Sequence, residues 1–409
     1  MIKKVKIELL EPGVFVHDFN SDRRSSNLIT SQTLIRDRRI VEILGSMGIR
    51  EVNIDTDKGI DVQESIPALE VRTEIEEGLH ELAAKQPDSI RNIPLTEELA
   101  VARKIKSQAV SVIRNVIESV RKGKPLETGE AFHLVEEMEN SVTRNRDALV
   151  LLTMIRKKDE YTMMHSISVG AYILNFCNFY KVQEQQTLNL AIGALFHDIG
   201  KTRIPHAILN KPGPLDEKEF AIMKKHAQYS AEILQSGHHL PSETFDMGLH
   251  HHERYDGTGY PHHLKGEQIS FGSQLAAIAD VYDALTSDRC YKAGIDRVEA
   301  LRKLYEWSGL HFNKDLTHQF IRCIGVYPIG SCVTLASGRV GIVVGSTESL
   351  IQPIVHIFYD KKKEREITIP ELDLSQTEDQ VVGYEESCNF DLKKLDAFKE
   401  VATDIFHAA

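Results

Sequence analysis

The sequence lacks closely spaced pairs of cysteines. Its 409 residues include five cysteines, and no two of them form a C-x-x-C pair. The usual disulfide framework and the usual thiolate zinc site are therefore excluded, and a reducing, cytoplasmic environment is favoured.

Long runs of one chemical character are missing as well. No stretch reaches the roughly 18 to 20 uninterrupted apolar residues of a membrane helix. The first ten residues mix three lysines and a glutamate with apolar residues, so a signal-peptide core is not expected. Lysine and arginine form no long run in a chain of net charge -11, and neither a nucleic-acid polymer nor a membrane is expected as a partner. An anionic substrate would need a local positive site.

Apolar spacing predicts four parts of the chain. Residues 1–64 combine short strand-like runs with a helix over 38–47 and a strand over 52–54, which predicts a small α+β domain. Residues 65–94 are polar, contain three prolines and predict a linker with some helical character. Residues 95–326 predict a helical domain, and the β-branched runs 340–344 and 354–359 predict a short β-rich extension over 327–409.

Two apolar stripes with steps of three and four carry the helical prediction. The first consists of Leu99, Ala102, Ile105, Ala109, Val112, Val116 and Val120. The second consists of Ala131, Val135, Met138, Val142, Leu149 and Leu152. Further along, Asp216 and Glu219 have the spacing of a capping box, which predicts the start of another helix.

Seven residues with metal-binding side chains follow one another in the helical region. They are His165, His197, Asp198, His226, His251, His252 and Asp280. Their nitrogen and oxygen atoms suit iron, manganese or zinc. His197 and Asp198 close an apolar run and Asp280 lies inside another, where an unpaired charge would be costly. A lone buried histidine is more often structural, whereas seven such residues predict one shared metal cluster.

Twelve scattered histidines are assigned structural roles: His17, His80, His133, His206, His238, His239, His262, His263, His311, His318, His356 and His407.

The motifs around the seven residues resemble those of the HD-GYP family. They are His197-Asp198-Ile-Gly-Lys201, His251-His252-Glu-Arg-Tyr-Asp-Gly-Thr-Gly-Tyr260-Pro and Asp280-Val-Tyr-Asp283, and the similarity covers residues 160–325. The resemblance implies a mainly α protein with a helical HD-superfamily metal-dependent phosphohydrolase domain, flanked by the small α+β domain and the β-rich appendage. It also implies hydrolysis of the bacterial second messenger cyclic di-GMP to pGpG, GMP or both.

The resemblance implies a role for each residue of the cluster. One metal ion would be held by His165, His197, Asp198 and Asp280. Asp198 would bridge to a second ion, held by His226, His251 and His252. Two ions about 3.5 to 4 Å apart, iron or manganese, would supply a hydroxide near neutral pH and stabilise both oxygens of the displacement. Lys201 would offset charge at the phosphate, and the nucleotide would be contacted by Tyr260, Arg289 and Lys292.

Two residue assignments stay open in the sequence. Asp283 either orients Lys201 or a ligand histidine or binds metal itself. Some members of the family hold a third ion partly through a glutamate one helical turn before the first histidine, and Tyr161 stands at that position here. Glu160 lies five residues before His165, about 140° around a helix at 100° per residue, so a third ion is left open.

Two alternative functions remain open beside the predicted hydrolysis of cyclic di-GMP. The same pair of ions could cleave cyclic GMP-AMP or another nucleotide, because the chemistry acts on phosphate and not on the base. A catalytically inactive cyclic-dinucleotide receptor is the alternative of another class. Such a receptor is expected to lose one or more of the seven metal-binding residues, and this chain has all of them. The N-terminal domain is expected to be sensory or dimer-forming, which leaves a homodimer open.

Overall fold

The computed structural model describes residues 1–20, 32–46, 48–84, 93–154, 161–237, 240–287 and 294–384. Within these ranges the α-helices are α1 Arg38–Ser46, α2 Ala68–Ala83, α3 Leu95–Arg121, α4 Gly129–Arg144, α5 Ala148–Thr153, α6 Tyr161–Phe179, α7 Glu184–Phe196, α8 His206–Leu209, α9 Glu217–Lys224, α10 His226–Gln235, α11 Ser242–His250, α12 Phe271–Thr286, α13 Arg297–Trp307 and α14 Lys314–Ile324. The strands are β1 Ile2–Lys6, β2 Phe15–Asp18, β3 Thr33–Leu34, β4 Glu51–Asp55, β5 Ile66–Pro67, β6 Cys332–Leu335, β7 Arg339–Gly345, β8 Ile354–Asp360, β9 Arg365–Asp373 and β10 Val381–Tyr384.

The chain divides into two compact units, of which the smaller contains Met1–Leu79 and Ile204–Lys224. Its five strands form an antiparallel sheet of order β3-β2-β4-β1-β5. Val5, Val16, Val52 and Ile54 are buried in one core with Leu44 of α1, which confirms the predicted α+β domain. In the same unit, Asp216 and Glu219 exchange their predicted capping hydrogen bonds at 2.8 and 2.9 Å.

The segment expected to be a polar linker contains regular structure. Its strand β5 pairs with β1, with Pro67 opposite Lys3, and α2 follows directly. Strand pairing between residues more than 60 positions apart leaves no local pattern, and a two-residue strand shows no alternation. Residues 85–92, at the end of the expected linker, lie outside the described residues.

The larger unit, His80–Arg203 and Lys225–Ala409, contains most of the helices. The buried stripe of α3 runs through Leu99, Ala102, Ile105, Ala109, Ile113 and Val116. In the predicted stripe Val112 and Val120 are only half-buried, and Ile113 is buried in place of Val112. Ile113 follows Ala109 by four residues, and the 3.6-residue turn brings it onto the same face.

The second predicted stripe belongs to two helices. α4 ends at Arg144, and Asn145 takes an extended conformation. The Asn145 side-chain oxygen then accepts the backbone N–H groups of Asp147 (2.9 Å) and Ala148 (3.1 Å), which begins α5. All six residues of the stripe are buried, but the break between Val142 and Leu149 was not predicted.

The C-terminal part of the larger unit is an antiparallel sheet of order β10-β6-β7-β8-β9. The predicted runs 340–344 and 354–359 lie in β7 and β8. Buried Asp147 receives hydrogen bonds from the backbone N–H (2.7 Å) and hydroxyl (3.0 Å) of Ser346, which joins this sheet to the helices. The β-rich appendage is confirmed up to Tyr384, and the rest of the predicted extension lies outside the described residues.

Within the described ranges, no helix is both long enough and apolar enough to cross a membrane. The most apolar of the long helices, α6, is instead buried along most of its length, with Ile167, Ile173 and Leu174 in the core. It packs against α7 and α12, and these helices bring the predicted metal-binding residues together.

Candidate metal centre

The seven predicted metal-binding residues converge at one place in the larger unit. Their positions are His165 in α6, His197 at the end of α7, Asp198 directly after it, His226 at the first residue of α10, His251 and His252 directly after α11, and Asp280 in α12. Six of them are buried, and His252 has a side chain 24% exposed. Side chains from five helices or their ends therefore meet at one buried place, which is open to solvent on the side of His252.

These residues form two adjacent groups. The first group is His165, His197 and Asp280, and the second is Asp198, His226, His251 and His252. In each group the potential ligand atoms lie within 4.8 Å of one another. In the first group, His165 Nε2 is 3.0 Å from Asp280 Oδ1, and in the second, His252 Nε2 is 3.1 Å from His226 Nε2.

The carboxylate of Asp198 lies between the two groups. Its Oδ2 atom is 3.4 Å from His197 Nε2 and 3.7 Å from His165 Nε2. Its Oδ1 atom is 3.3 Å from His226 Nε2 and 3.7 Å from His251 Nε2. Each oxygen thus faces a different group, which is the arrangement that a carboxylate shared by two cations requires.

Three buried polar atoms at this place have no hydrogen-bond partner: His197 Nε2, Asp198 Oδ1 and His251 Nε2. A buried polar atom without a partner costs about 1–3 kcal/mol. The two imidazole nitrogens lie 3.4 and 3.7 Å from different oxygens of Asp198, and one cation in each group would satisfy all three atoms. Imidazole nitrogens and carboxylate oxygens are the donors that divalent iron, manganese and zinc accept, so the residues fit divalent metal ions.

Backbone carbonyls orient two of the histidines. His197 Nδ1 donates to the carbonyl of Ala194 (2.6 Å), and His251 Nδ1 donates to the carbonyl of Met247 (3.0 Å). A carbonyl can only accept, so each contact places the proton on Nδ1 and leaves the Nε2 lone pair free for a metal.

A carboxylate orients His165 in the same way. His165 Nδ1 is 2.7 Å from Asp283 Oδ2, and Asp283 is fully buried. Asp283 therefore contacts a predicted ligand histidine, one of the roles that the sequence left open. Burial lowers the pKa of His165, but the hydrogen bonds to Asp280 and Asp283 outweigh it and raise this pKa to about 9. The site thus attracts a positive charge.

We expect Asp283→Asn to weaken metal binding about 10- to 100-fold, the usual effect of losing a carboxylate behind a ligand histidine. The asparagine retains the size of the side chain but not the negative charge that orients His165. Competition with a chelator measures the affinity, and Asp315→Asn on the exposed face of α14 is the control. Equal affinity in both variants would show that Asp283 does not support the centre.

Gly200 allows the backbone that follows Asp198 to approach α10 closely. A Cβ atom on Gly200 would lie 2.0 Å from the carbonyl oxygen of His226 and 2.4 Å from the nitrogen of Ser230. The Gly200 N–H instead donates to the Ser230 hydroxyl at 2.9 Å. Gly200 thus holds the 3-10 helix Ile199–Arg203, which follows Asp198, directly against α10 and His226.

Lys201 and Tyr260 also lie at the centre. Lys201 Nζ forms a short ion pair with Asp198 Oδ2. Burial alone would raise the pKa of Asp198, but Lys201 and His197 hold it well below its ordinary value, so the carboxylate is ionised. The half-buried Tyr260 ring lies 4.8 Å from the His252 ring, with 34° between their planes. The structure therefore places a cation and an aromatic face beside the two groups.

Several predicted residues are outside what the structure describes. Arg289, Lys292 and Glu160 belong to segments that are not described, and of Tyr161 only the backbone is. The predicted nucleotide contacts of Arg289 and Lys292, and the question of a third ion near Glu160, stay predictions.

Sequence reasoning missed a third group, formed by His250, Glu253 and His262. The sequence prediction gave His262 a structural role and gave His250 and Glu253 no role. The available signal was the run of three histidines at 250–252, together with Asp246 one helical turn before the first of them.

Comparison with known proteins gives two family matches. Residues 149–316 match the HD domain family, and residues 2–131 match a domain of unknown function, DUF3391. The first match contains all seven predicted metal-binding residues.

Three curated relatives illustrate the range of similarity. The chain is 34% identical over 406 residues to a cyclic di-GMP phosphodiesterase of Pseudomonas aeruginosa, covering 97% of this chain and 95% of that protein. It is 33% identical over 210 residues to a cyclic di-GMP phosphodiesterase of Vibrio cholerae, covering 47% of this chain and 43% of that protein. It is 35% identical over 167 residues to a 3'3'-cGAMP-specific phosphodiesterase of the same organism, covering 41% and 32%.

Proposed function

The chain belongs to the HD-GYP family of HD-domain phosphodiesterases, and on this premise we propose that it hydrolyses cyclic di-GMP to pGpG, GMP or both. The observation that carries the proposal is the Asp198 carboxylate, whose two oxygens face two groups of buried imidazoles. A non-catalytic receptor has no need for two complete groups. The intact set of seven residues therefore supports an enzyme.

The ligand set supports two divalent ions, and we assign iron or manganese to them. Both groups consist of imidazole and carboxylate, without a thiolate. When bound, such ions supply Lewis-acid stabilisation of phosphate oxygens and a water molecule of lowered pKa. His165, His197 and Asp280 would hold one ion, and His226, His251 and His252 the other, with Asp198 between them.

Lys201 and Tyr260 have distinct roles in this proposal. The Lys201 ammonium group, beside Asp198, would face the scissile phosphate and stabilise the negative charge that develops on its oxygens. The Tyr260 ring, at the exposed edge of the centre beside His252, would stack on a guanine base. The net charge of -11 would otherwise repel an anionic substrate, and this centre supplies the local positive charge.

We expect Tyr260→Ala to raise KM for cyclic di-GMP about tenfold, because stacking of one base on an aromatic ring contributes about 1–3 kcal/mol. Tyr260→Phe retains the stacking face and is expected to keep KM within about twofold of wild type. Steady-state kinetics of the two variants measure the effect. A similar rise in KM for both would assign the role to the hydroxyl and not to the ring.

Product analysis tests the proposed substrate. Purified, metal-loaded protein is incubated with cyclic di-GMP and, separately, with 3'3'-cGAMP, and the products are separated by chromatography. The similarity to a cGAMP-specific phosphodiesterase makes this second substrate the relevant competitor. We expect a higher kcat/KM for cyclic di-GMP. Faster cleavage of cGAMP would assign the chain to the alternative function, and no cleavage of either would favour a receptor.

The remaining proposals concern the whole chain. We propose an accessory domain at 1–64, a linker at 65–94 that includes β5 and α2, a catalytic domain at 95–326 and an extension at 327–409. The HD domain match lies inside the proposed catalytic domain, whereas the DUF3391 match continues to residue 131, past the proposed linker.

The absence of paired cysteines supports a cytoplasmic location, and the acidic chain supports a partner other than a nucleic-acid polymer. A homodimer formed through the accessory domain completes the proposal.

A further inference from the structure

A third group of metal-binding side chains lies outside the centre described above. His250 is the last residue of α11, Glu253 follows three residues later, and His262 comes after the Tyr260-Pro261 pair. One potential ligand atom from each of the three lies within 4.8 Å of the others. None of these residues belongs to either group around Asp198.

The two histidines already face each other at nearly the distance that a shared ion needs. His250 Nε2 and His262 Nδ1 are 3.0 Å apart. Two ligands of a tetrahedral zinc ion, each bound at 2.0–2.1 Å, are about 3.3 Å apart. A small outward rotation of the exposed His262 ring would therefore admit the ion.

A partly exposed carboxylate, Asp246, holds the first histidine in a binding orientation. His250 Nδ1 donates to Asp246 Oδ1 at 2.7 Å, so its Nε2 is left for a ligand. Asp246 in turn accepts hydrogen bonds from the Ser273 hydroxyl at 2.9 Å and from the Ser270 hydroxyl. A carboxylate behind a histidine is the arrangement that orients metal-bound imidazoles in proteins.

Glu253 holds the second histidine in place. It is 2% exposed, and its carboxylate accepts the backbone N–H groups of His262 (2.6 Å) and Leu264 (3.1 Å). Each carboxylate oxygen has a further lone pair for a metal ion. The chain can fold back this closely only at a glycine, since a Cβ atom on Gly259 would lie 2.4 Å from Glu253 Cα.

We propose that His250, Glu253 and His262 form a separate site for one zinc ion, with water as its fourth ligand. Two imidazoles, one carboxylate and an open position are a ligand set that zinc accepts. The ion would tie the end of α11 to the segment that carries Tyr260, and it would enter through the solvent-exposed His262 side.

The test compares two neighbouring histidines. His262→Asn removes one proposed ligand, and His263→Asn makes the same change at the next residue, which is exposed and outside the group. His263 has a left-handed backbone (φ +57°), which asparagine tolerates. Metal-free wild-type and variant chains are titrated with Zn²⁺ alone, and bound zinc is counted by calorimetry and elemental analysis.

We expect His262→Asn to bind one zinc ion fewer than wild type, and His263→Asn to bind as many as wild type. Both variants retain all seven residues around Asp198, so this difference is independent of how much zinc the main centre takes up. A crystal of the zinc-loaded wild type should show an anomalous peak between His250, Glu253 and His262. Equal zinc counts in the two variants, or no peak at this position, would overturn the proposal.

Discussion

We expect that replacing Asp198 with alanine removes both proposed metal ions of the centre and lowers the rate of cyclic di-GMP hydrolysis by about 10⁴-fold or more. Asp198 is the residue whose two oxygens face the two groups, so its loss deprives both ions of a ligand. His197→Ala has the same direction of effect, because it removes a ligand with a buried, unpartnered Nε2 atom.

Metal content and initial rate are measured on the same preparations of Asp198→Ala, Asp198→Asn and wild type. The asparagine variant retains the shape of the buried side chain and separates loss of charge from loss of packing. Circular dichroism shows whether each variant is folded, and Asp315→Ala is the control for removal of an exposed carboxylate. Wild-type turnover by a folded variant without metal would contradict the mechanism.

Lys201→Gln is expected to lower kcat about 10²- to 10³-fold while both ions remain bound. Lys201 reaches Asp198 Oδ2 at the centre, beside the proposed phosphate position. A group that stabilises charge only in the transition state contributes to kcat, so KM should change little. Glutamine retains the polar character of the side chain but has no charge.

The control for this variant is Lys122→Gln, which removes an exposed lysine paired with Glu118 at the end of α3. Metal content and kcat are measured for both variants. If Lys201→Gln loses metal as well as turnover, Lys201 acts by holding Asp198 and not by stabilising the phosphate. If kcat is unchanged, Lys201 has no part in the reaction.

The sequence predicts the residues of the centre better than their arrangement. His197, Asp198 and Asp280 could be recognised because polar residues interrupt apolar runs, where burial without a cation is costly. That Asp198 directs one oxygen to each group depends on where α6, α10 and α12 lie, and no local pattern contains this information. The contact between Asp283 and His165 joins residues 118 positions apart and could be named only as one of several roles.

The errors of the sequence predictions have the same cause, since local patterns do not contain tertiary contacts. The stripe of α3 was predicted nearly correctly because helical periodicity is local, and its error of one position at Val112 came from choosing between two adjacent apolar residues. The break at Asn145 depends on one side-chain hydrogen bond, which periodicity does not show. The approach of His262 to His250 depends on the chain turning back at Gly259, so two residues far apart in any helical pattern become neighbours.

Anomalous diffraction from a crystal of the manganese-loaded protein tests the central claim most directly. The account predicts two peaks, one between His165, His197 and Asp280 and one between His226, His251 and His252, with the Asp198 carboxylate shared by both. A single peak, or manganese bound away from Asp198, would contradict it.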